Sequence, residues 1–183
     1  MTTDKDFKRL VRDRARKTGE SYALARHRLL SKAGGIPVPP NPDELEHILV
    51  FSEDQARILG HDFIGTEHLL LGLIVDEQCA AAEVLATFDV TPEKVRSKLQ
   101  EIIEFSEAST ADSLPQTPRA KKVIHYAHEE VVELGHLSVG SGHVLLGLIR
   151  EGEGVAILIL NHLDVDLQQL RTVTLRKMGV DGS

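Results

Sequence analysis

Two stretches of the chain say nearly the same thing: residues 60–74 read GHDFIGTEHLLLGLI and residues 135–149 read GHLSVGSGHVLLGLI. They stand 75 residues apart, and the register holds well beyond them. Downstream, Ala81, Leu85, Asp89, Val90 and Arg96 match Ala156, Leu160, Asp164, Val165 and Arg171. Upstream, Phe51 faces Tyr126 and Leu59 faces Leu134. A fixed offset kept over that span marks an internal repeat.

Each repeat predicts four helices. In the first, Ser52 stands as a cap with Gln55 at the capping-box position, for a helix stopping near Leu59 and Gly60. Thr66 is the expected cap of a second helix reaching about Asp76. A third is expected over Ala80 to Thr87. Thr91 and Pro92 open a fourth, as Thr117 and Pro118 open the first helix of the second repeat, because proline suits the first helical position. HLLLGLI and HVLLGLI are apolar nearly all round, so the second helix of each repeat should be buried. Gly72 and Gly147 lie inside these helices. Glycine there costs about 1 kcal/mol relative to alanine, and close helix approach is the expected return. Two such helices face to face would make one pseudo-symmetric domain.

The composition agrees with an all-α fold. Aromatic residues make up 4% of the 183 and tryptophan is absent, so aliphatic residues and alanine must fill the core. Charge is uneven. Residues 1–34 carry ten Lys or Arg against four Asp or Glu, while the remainder carries eleven against twenty-four. A basic arm therefore precedes an acidic body. In the arm, Phe7, Leu10 and Val11 lie on one helix face, and Tyr22, Ala25 and Leu29 form a second stripe after Gly19. Lys8, Arg9, Arg12 and Arg16 make it a candidate docking element for an acidic surface, with nucleic acid as the alternative partner. GGIPVPPNP (34–42) is a proline-rich linker. The expected organisation is an arm at 1–34, a linker at 35–44 and a double-repeat domain at 45–180, with repeats over about 45–105 and 117–178.

Several chemistries find no pattern here. The start is charged and lacks the apolar segment of a signal peptide. No apolar run nears the roughly 18 residues of a membrane span, so a cytoplasmic protein without membrane attachment is expected. Cys79 is the single cysteine, excluding an internal disulfide, and is expected near the surface. No GxxxxGK[ST] loop cradles a phosphate, and no nucleophile–base set marks an enzyme. His125 and His128, three apart, fall short of a zinc ligand set. His68 and His143 lead into buried helices and are expected as structural hydrogen-bonding groups. No metal or cofactor is expected.

The motifs GTEHLLLGLI, TPRAKKVI, ELGH and LLGLIREGEGVA, over about Leu45 to Met178, resemble the amino-terminal domain of Clp ATPases of the ClpC kind. The resemblance implies a pseudo-two-fold bundle of two four-helix repeats that recruits substrates and adaptors to an ATP-driven unfoldase feeding a protease. The chain reads as that recruiting domain without its motor: a non-catalytic adaptor, decoy or regulator whose partners are Clp protease components, their substrates or their adaptors. In some relatives the Glu of each GTEH binds phosphoarginine, helped by the Thr starting each first helix. Cyclic-peptide antibiotics also bind this domain, so their sequestration is a further alternative. Carried over, the first site has Glu67 and Thr66, with Ser52 in the place of the helix-starting Thr. The second has Thr117 but Gly142 where the Glu would be, so it is expected to be weak or dead for phosphoarginine. Ile48 and Gln116 take the places of the family's aromatic or apolar groove residues.

Overall fold

The computed structural model describes residues 9–10, 12–13, 16–17, 44–76, 79–102 and 113–180. Backbone contacts divide the chain into one unit over residues 1–42 and another over 43–183. In the first unit the described residues are helical and exposed, Arg9, Arg12 and Arg16 among them. Lys8, Phe7, Val11, the second apolar stripe of the arm and the linker as far as residue 43 lie outside the described residues.

The second unit is all-helical. The first repeat holds α1 (Glu44–Ile58), α2 (Thr66–Val75), α3 (Ala80–Thr87) and α4 (Pro92–Ile102). The second holds α5 (Pro118–Glu133), α6 (Ser141–Glu151), α7 (Val155–His162) and α8 (Leu167–Lys177). The starts of α2, α3 and α4 lie 75 residues before those of α6, α7 and α8.

Local chemistry accounts for most boundaries. Thr117 Oγ1 accepts the Ala120 N–H at 3.1 Å, and Pro118 follows, as the Thr–Pro pair predicts. Gly60 and Gly135 end α1 and α5 in the left-handed region, at φ 74° and 68°, which glycine adopts without strain.

The start of α1 departs from expectation. It begins at Glu44, eight residues before Ser52, and takes in the last residue assigned to the linker. The stripe Leu45, Ile48, Ser52, Ala56 faces inward at helical spacing. Ser52 is fully buried inside this helix, and its hydroxyl donates to the Ile48 carbonyl at 2.6 Å. The capping-box pattern at Ser52 is thus a helix interior with a back-bonded serine.

The central helices α2 and α6 are buried on nearly every side. Their glycines let another helix approach. A Cβ on Gly72 would lie 2.9 Å from the Ile48 carbonyl oxygen of α1, and one on Gly147 2.5 Å from the Val123 carbonyl oxygen of α5. The nearest neighbour of each central helix is therefore the first helix of its own repeat. α2 and α6 also touch, while α7 packs on α2 and α4 and α3 on α6 and α8. One continuous core results, with Leu70, Leu71, Leu73, Leu145, Leu146 and Leu148 no more than 1% exposed. A parallel bridge between Ile64 and Gln116 joins the loops that precede α2 and α5.

Candidate functional site

At the start of α2 the cap is Gly65, not Thr66. The Gly65 N–H donates to His68 Nδ1 at 2.8 Å, so an imidazole from the first turn of α2 reaches back to the backbone of the cap residue. Thr66 Oγ1 is used elsewhere. It accepts the Ala156 N–H of α7, in the other repeat, at 3.2 Å. The offset repeats this arrangement: Ser141 Oγ accepts the Ala81 N–H at 3.3 Å, and the Gly140 N–H donates to His143 Nδ1 at 2.9 Å.

Glu67 is 2% exposed. Its carboxylate folds over Gly65, where a Cβ would lie 2.5 Å from Oε2. Burial raises its pKa, and hydrogen bonds from its own backbone N–H and from the Thr66 hydroxyl only partly offset that. His68 is no counter-charge. Burial, and then the neighbouring His61, lower its pKa to about 3. Its Nδ1 lies 3.5 Å from Glu67 Oε1, but that nitrogen already accepts from Gly65. A neutral imidazole therefore carries its proton on Nε2, which points to His61 Nδ1 at 2.8 Å.

His61, Glu67 and His68 approach one another within 4.8 Å, as a metal site would require. The histidine nitrogens, however, are at hydrogen-bond distance from each other. The same pair recurs as His136 and His143, also at 2.8 Å, in the repeat whose carboxylate is replaced by Gly142. The pair is thus kept where the third candidate ligand is missing, and His68 and His143 take the hydrogen-bonding role expected of them.

The other expected site residues are dispersed. Thr117 caps α5 and is half-buried. Ser52 lies inside α1, packed against Gly72. The 75-residue offset pairs Ser52 with Ala127, and Thr117 with Pro42, so Ser52 is not the counterpart of Thr117. Ile48 is fully buried core rather than groove lining. Cys79, expected near the surface, is 5% exposed. It caps α3, with Sγ accepting the Ala82 N–H at 3.4 Å and its S–H donating to the Leu73 carbonyl at 3.2 Å. Burial raises its pKa, which makes it a poor nucleophile.

Three residues near the helix starts were not anticipated. Glu151 is buried at the end of α6, and its Oε2 accepts the Gly154 N–H at 2.7 Å. Burial would raise its pKa. The Arg119 guanidinium, 2.5 Å from Oε1, and the backbone N–H groups of Glu153 and Gly154 reverse that and hold it low. Glu44, at the start of α1, lines a cavity of about 210 Å³ beside Gly140, Ser141 and Gly142. None of the three stands in the GTEH or GSGH motif: Arg119 and Glu151 meet within the second repeat, and Glu44 reaches it from the first.

The family model for the Clp repeat (R) N-terminal domain matches residues 43–163 and 115–179. The ATP-dependent Clp protease ATP-binding subunit ClpA homolog of Guillardia theta is 43% identical over 72% of this chain and 16% of its own length. The chloroplastic chaperone protein ClpC of Pisum sativum is 42% identical over 72% of this chain and 14% of its own. The chain thus spans about a sixth of the length of the curated relatives it matches. Among solved structures, the N-terminal domain of the chaperone ClpD from Arabidopsis thaliana aligns with a TM-score of 0.65 and 23% identity, over 80% of this chain and 99% of that one. A ClpV N-domain solved with a VipB peptide aligns at 0.55 with 15% identity, over 74% and 84%. At these identities the structures show a shared fold, and the family model with the curated relatives shows more: this chain belongs to the Clp repeat (R) N-terminal domain family.

Proposed function

We propose that the chain is a non-catalytic, cytosolic protein-binding module that acts as an adaptor, decoy or regulator of Clp-mediated proteolysis by engaging substrates, adaptors or Clp subunits. The support is the two-repeat domain that the family model matches, whose fold is shared with a ClpV N-domain solved with a VipB peptide. The observation that carries the reading of the first site is Glu67. Its charged form is disfavoured by burial and faces a neutral histidine rather than a cation. A partner's guanidinium would supply the missing counter-charge through two parallel hydrogen bonds. A phosphate on that guanidinium would meet backbone N–H groups at the start of α2, where the helix dipole favours an anion. The ligand is therefore phosphoarginine or a group like it, held by Glu67 with Thr66 alongside. Thr117 is a candidate on the loop joined to Ile64 by the parallel bridge.

Calorimetric titration with free phosphoarginine tests the site. Wild type should bind near one equivalent, and Glu67→Gln should lose at least tenfold in affinity. No heat from folded wild type removes the ligand. Affinity capture from native lysate, scored for Clp ATPase and protease subunits, tests the wider role. Their absence from captures by both wild type and Glu67→Gln would remove it.

A further inference from the structure

The second repeat lacks the carboxylate of the first, yet one stands in its place. At Gly65 the atoms crowding a would-be Cβ are the carboxylate oxygens of Glu67, two residues on. At Gly140, the counterpart, the nearest atom is Glu44 Oε2, at 2.7 Å from a would-be Cβ. Glu44 belongs to the other repeat and reaches across from the first turn of α1. It is close enough to His143 to favour the charged imidazole, although burial and His136 keep that pKa low. First-turn carboxylates ordinarily complement the dipole of their own helix. This one lies against the start of α6 instead.

The surroundings define what the carboxylate can hold. The cavity of about 210 Å³ beside it is lined by Glu44, Ala80, Ser141, Gly142, His136 and Met178, together with Gly140 and His143. Position 142 has no side chain, and Met178 packs directly over it: a Cβ there would lie 2.8 Å from Met178 Cγ. Among the described residues the lining carries one anionic side chain and no Lys or Arg. The Met178 thioether and the Ala80 methyl give an apolar wall suited to an alkyl stem, with the carboxylate for a charged head. A planar guanidinium matches a carboxylate better than a compact ammonium does. A phosphorylated guanidinium does not fit, because Glu44 already occupies the start of α6 where a phosphate would sit and would repel it.

We propose that the cavity at Gly140–Gly142 is a second ligand site that receives an unmodified arginine side chain of a partner peptide, with Glu44 as its carboxylate. This rests on the protein-binding reading of the domain but not on phosphoarginine at Glu67. The two sites then differ in what they accept. The first takes the phosphorylated side chain and the second the bare one.

Amide chemical-shift titration of the full chain distinguishes the two. The probes are a blocked Gly-Arg-Gly peptide and its citrulline analogue, which keeps the shape and loses the charge. The arginine peptide should shift the Gly140, Ser141 and Gly142 signals saturably, and the citrulline peptide should bind at least tenfold more weakly. Glu44→Gln should weaken the arginine-peptide shifts at Gly140–Gly142 at least tenfold. Equal binding of both peptides, indifference to Glu44→Gln, or no shift at Gly140–Gly142 would overturn the proposal. If Glu44→Gln unfolds the domain, the citrulline comparison decides alone. Failure at Glu67 would be read separately, from phosphoarginine-induced shifts at Gly65–His68.

Discussion

Thr66 accepts the backbone N–H of Ala156 through its hydroxyl, and Ala156 belongs to the opposite repeat. Ser141 returns the contact to Ala81. Each repeat thus caps the third helix of the other. Both hydroxyls and both N–H groups are buried, away from water that could substitute.

Removing one of these hydroxyls should therefore destabilise the whole domain. Thr66→Val keeps the side-chain volume and leaves the Ala156 N–H unsatisfied, which costs about 1–3 kcal/mol. Ser141→Ala should cost about the same through Ala81. Urea denaturation checks both. Unchanged midpoints would show that the two N–H groups find other acceptors.

The interior glycines should separate by what they face. Gly72→Ala and Gly147→Ala drive a methyl into a backbone carbonyl, which cannot swing aside. Overpacking of that kind costs about 1–3 kcal/mol and outweighs the roughly 1 kcal/mol gained in helix propensity. Gly142→Ala meets only the flexible end of Met178. It should be near neutral in stability while shrinking the cavity. Thermal melts of the three variants would reveal the order.

Acid should weaken the fold before most carboxylates are protonated. His68 has its pKa lowered to about 3 in the folded chain against an ordinary 6.5. The unfolded chain therefore binds more protons between those values, and stability falls as pH drops from 6.5 toward 3. His143, also lowered, acts in the same direction. Glu67, raised by burial, has the opposite sign: its contribution is present below 4.5 and is lost as pH rises through its folded-state value. His68→Gln should flatten the acid limb of the stability curve measured between pH 7 and 4. An unchanged limb would place the acid sensitivity elsewhere.

Leu71 is fully buried in the continuous core. Leu71→Ala should cost about 2–5 kcal/mol. Residues 43–183 should still unfold in one transition, because α7 of one repeat packs on α2 and α4 of the other. Two separate calorimetric transitions would contradict the interlocked core.

Much of this architecture is legible in the chain because each boundary carries its own local chemistry. Ala80 to Thr87, and the starts at Pro92 and Pro118, follow from short-range caps and prolines, and the burial of α2 and α6 follows from unbroken apolar runs. Ser52 misleads because Ser-x-x-Gln has the same spacing inside a helix as at its start. Only the inward stripe that continues back to Leu45 resolves it. Thr66 misleads for a different reason. A hydroxyl beside a helix start predicts a local cap, but its acceptor role is filled by a residue ninety positions away. Glu44 lies beyond any local pattern, since its approach to Gly140 arises only when the repeats close on each other.

The exchanged hydroxyl caps carry a corollary. A solitary repeat would have a third helix with no hydroxyl to meet it and a central helix with one face bare. Two identical copies meeting about a two-fold axis would satisfy both at once, each copy supplying the hydroxyl the other lacks. The present single chain holds within itself the reciprocal contacts of such a homodimer. One chain also frees the halves from having to be the same: the carboxylate beside Gly65 comes from its own repeat, that beside Gly140 from the opposite one, which two identical copies could not arrange.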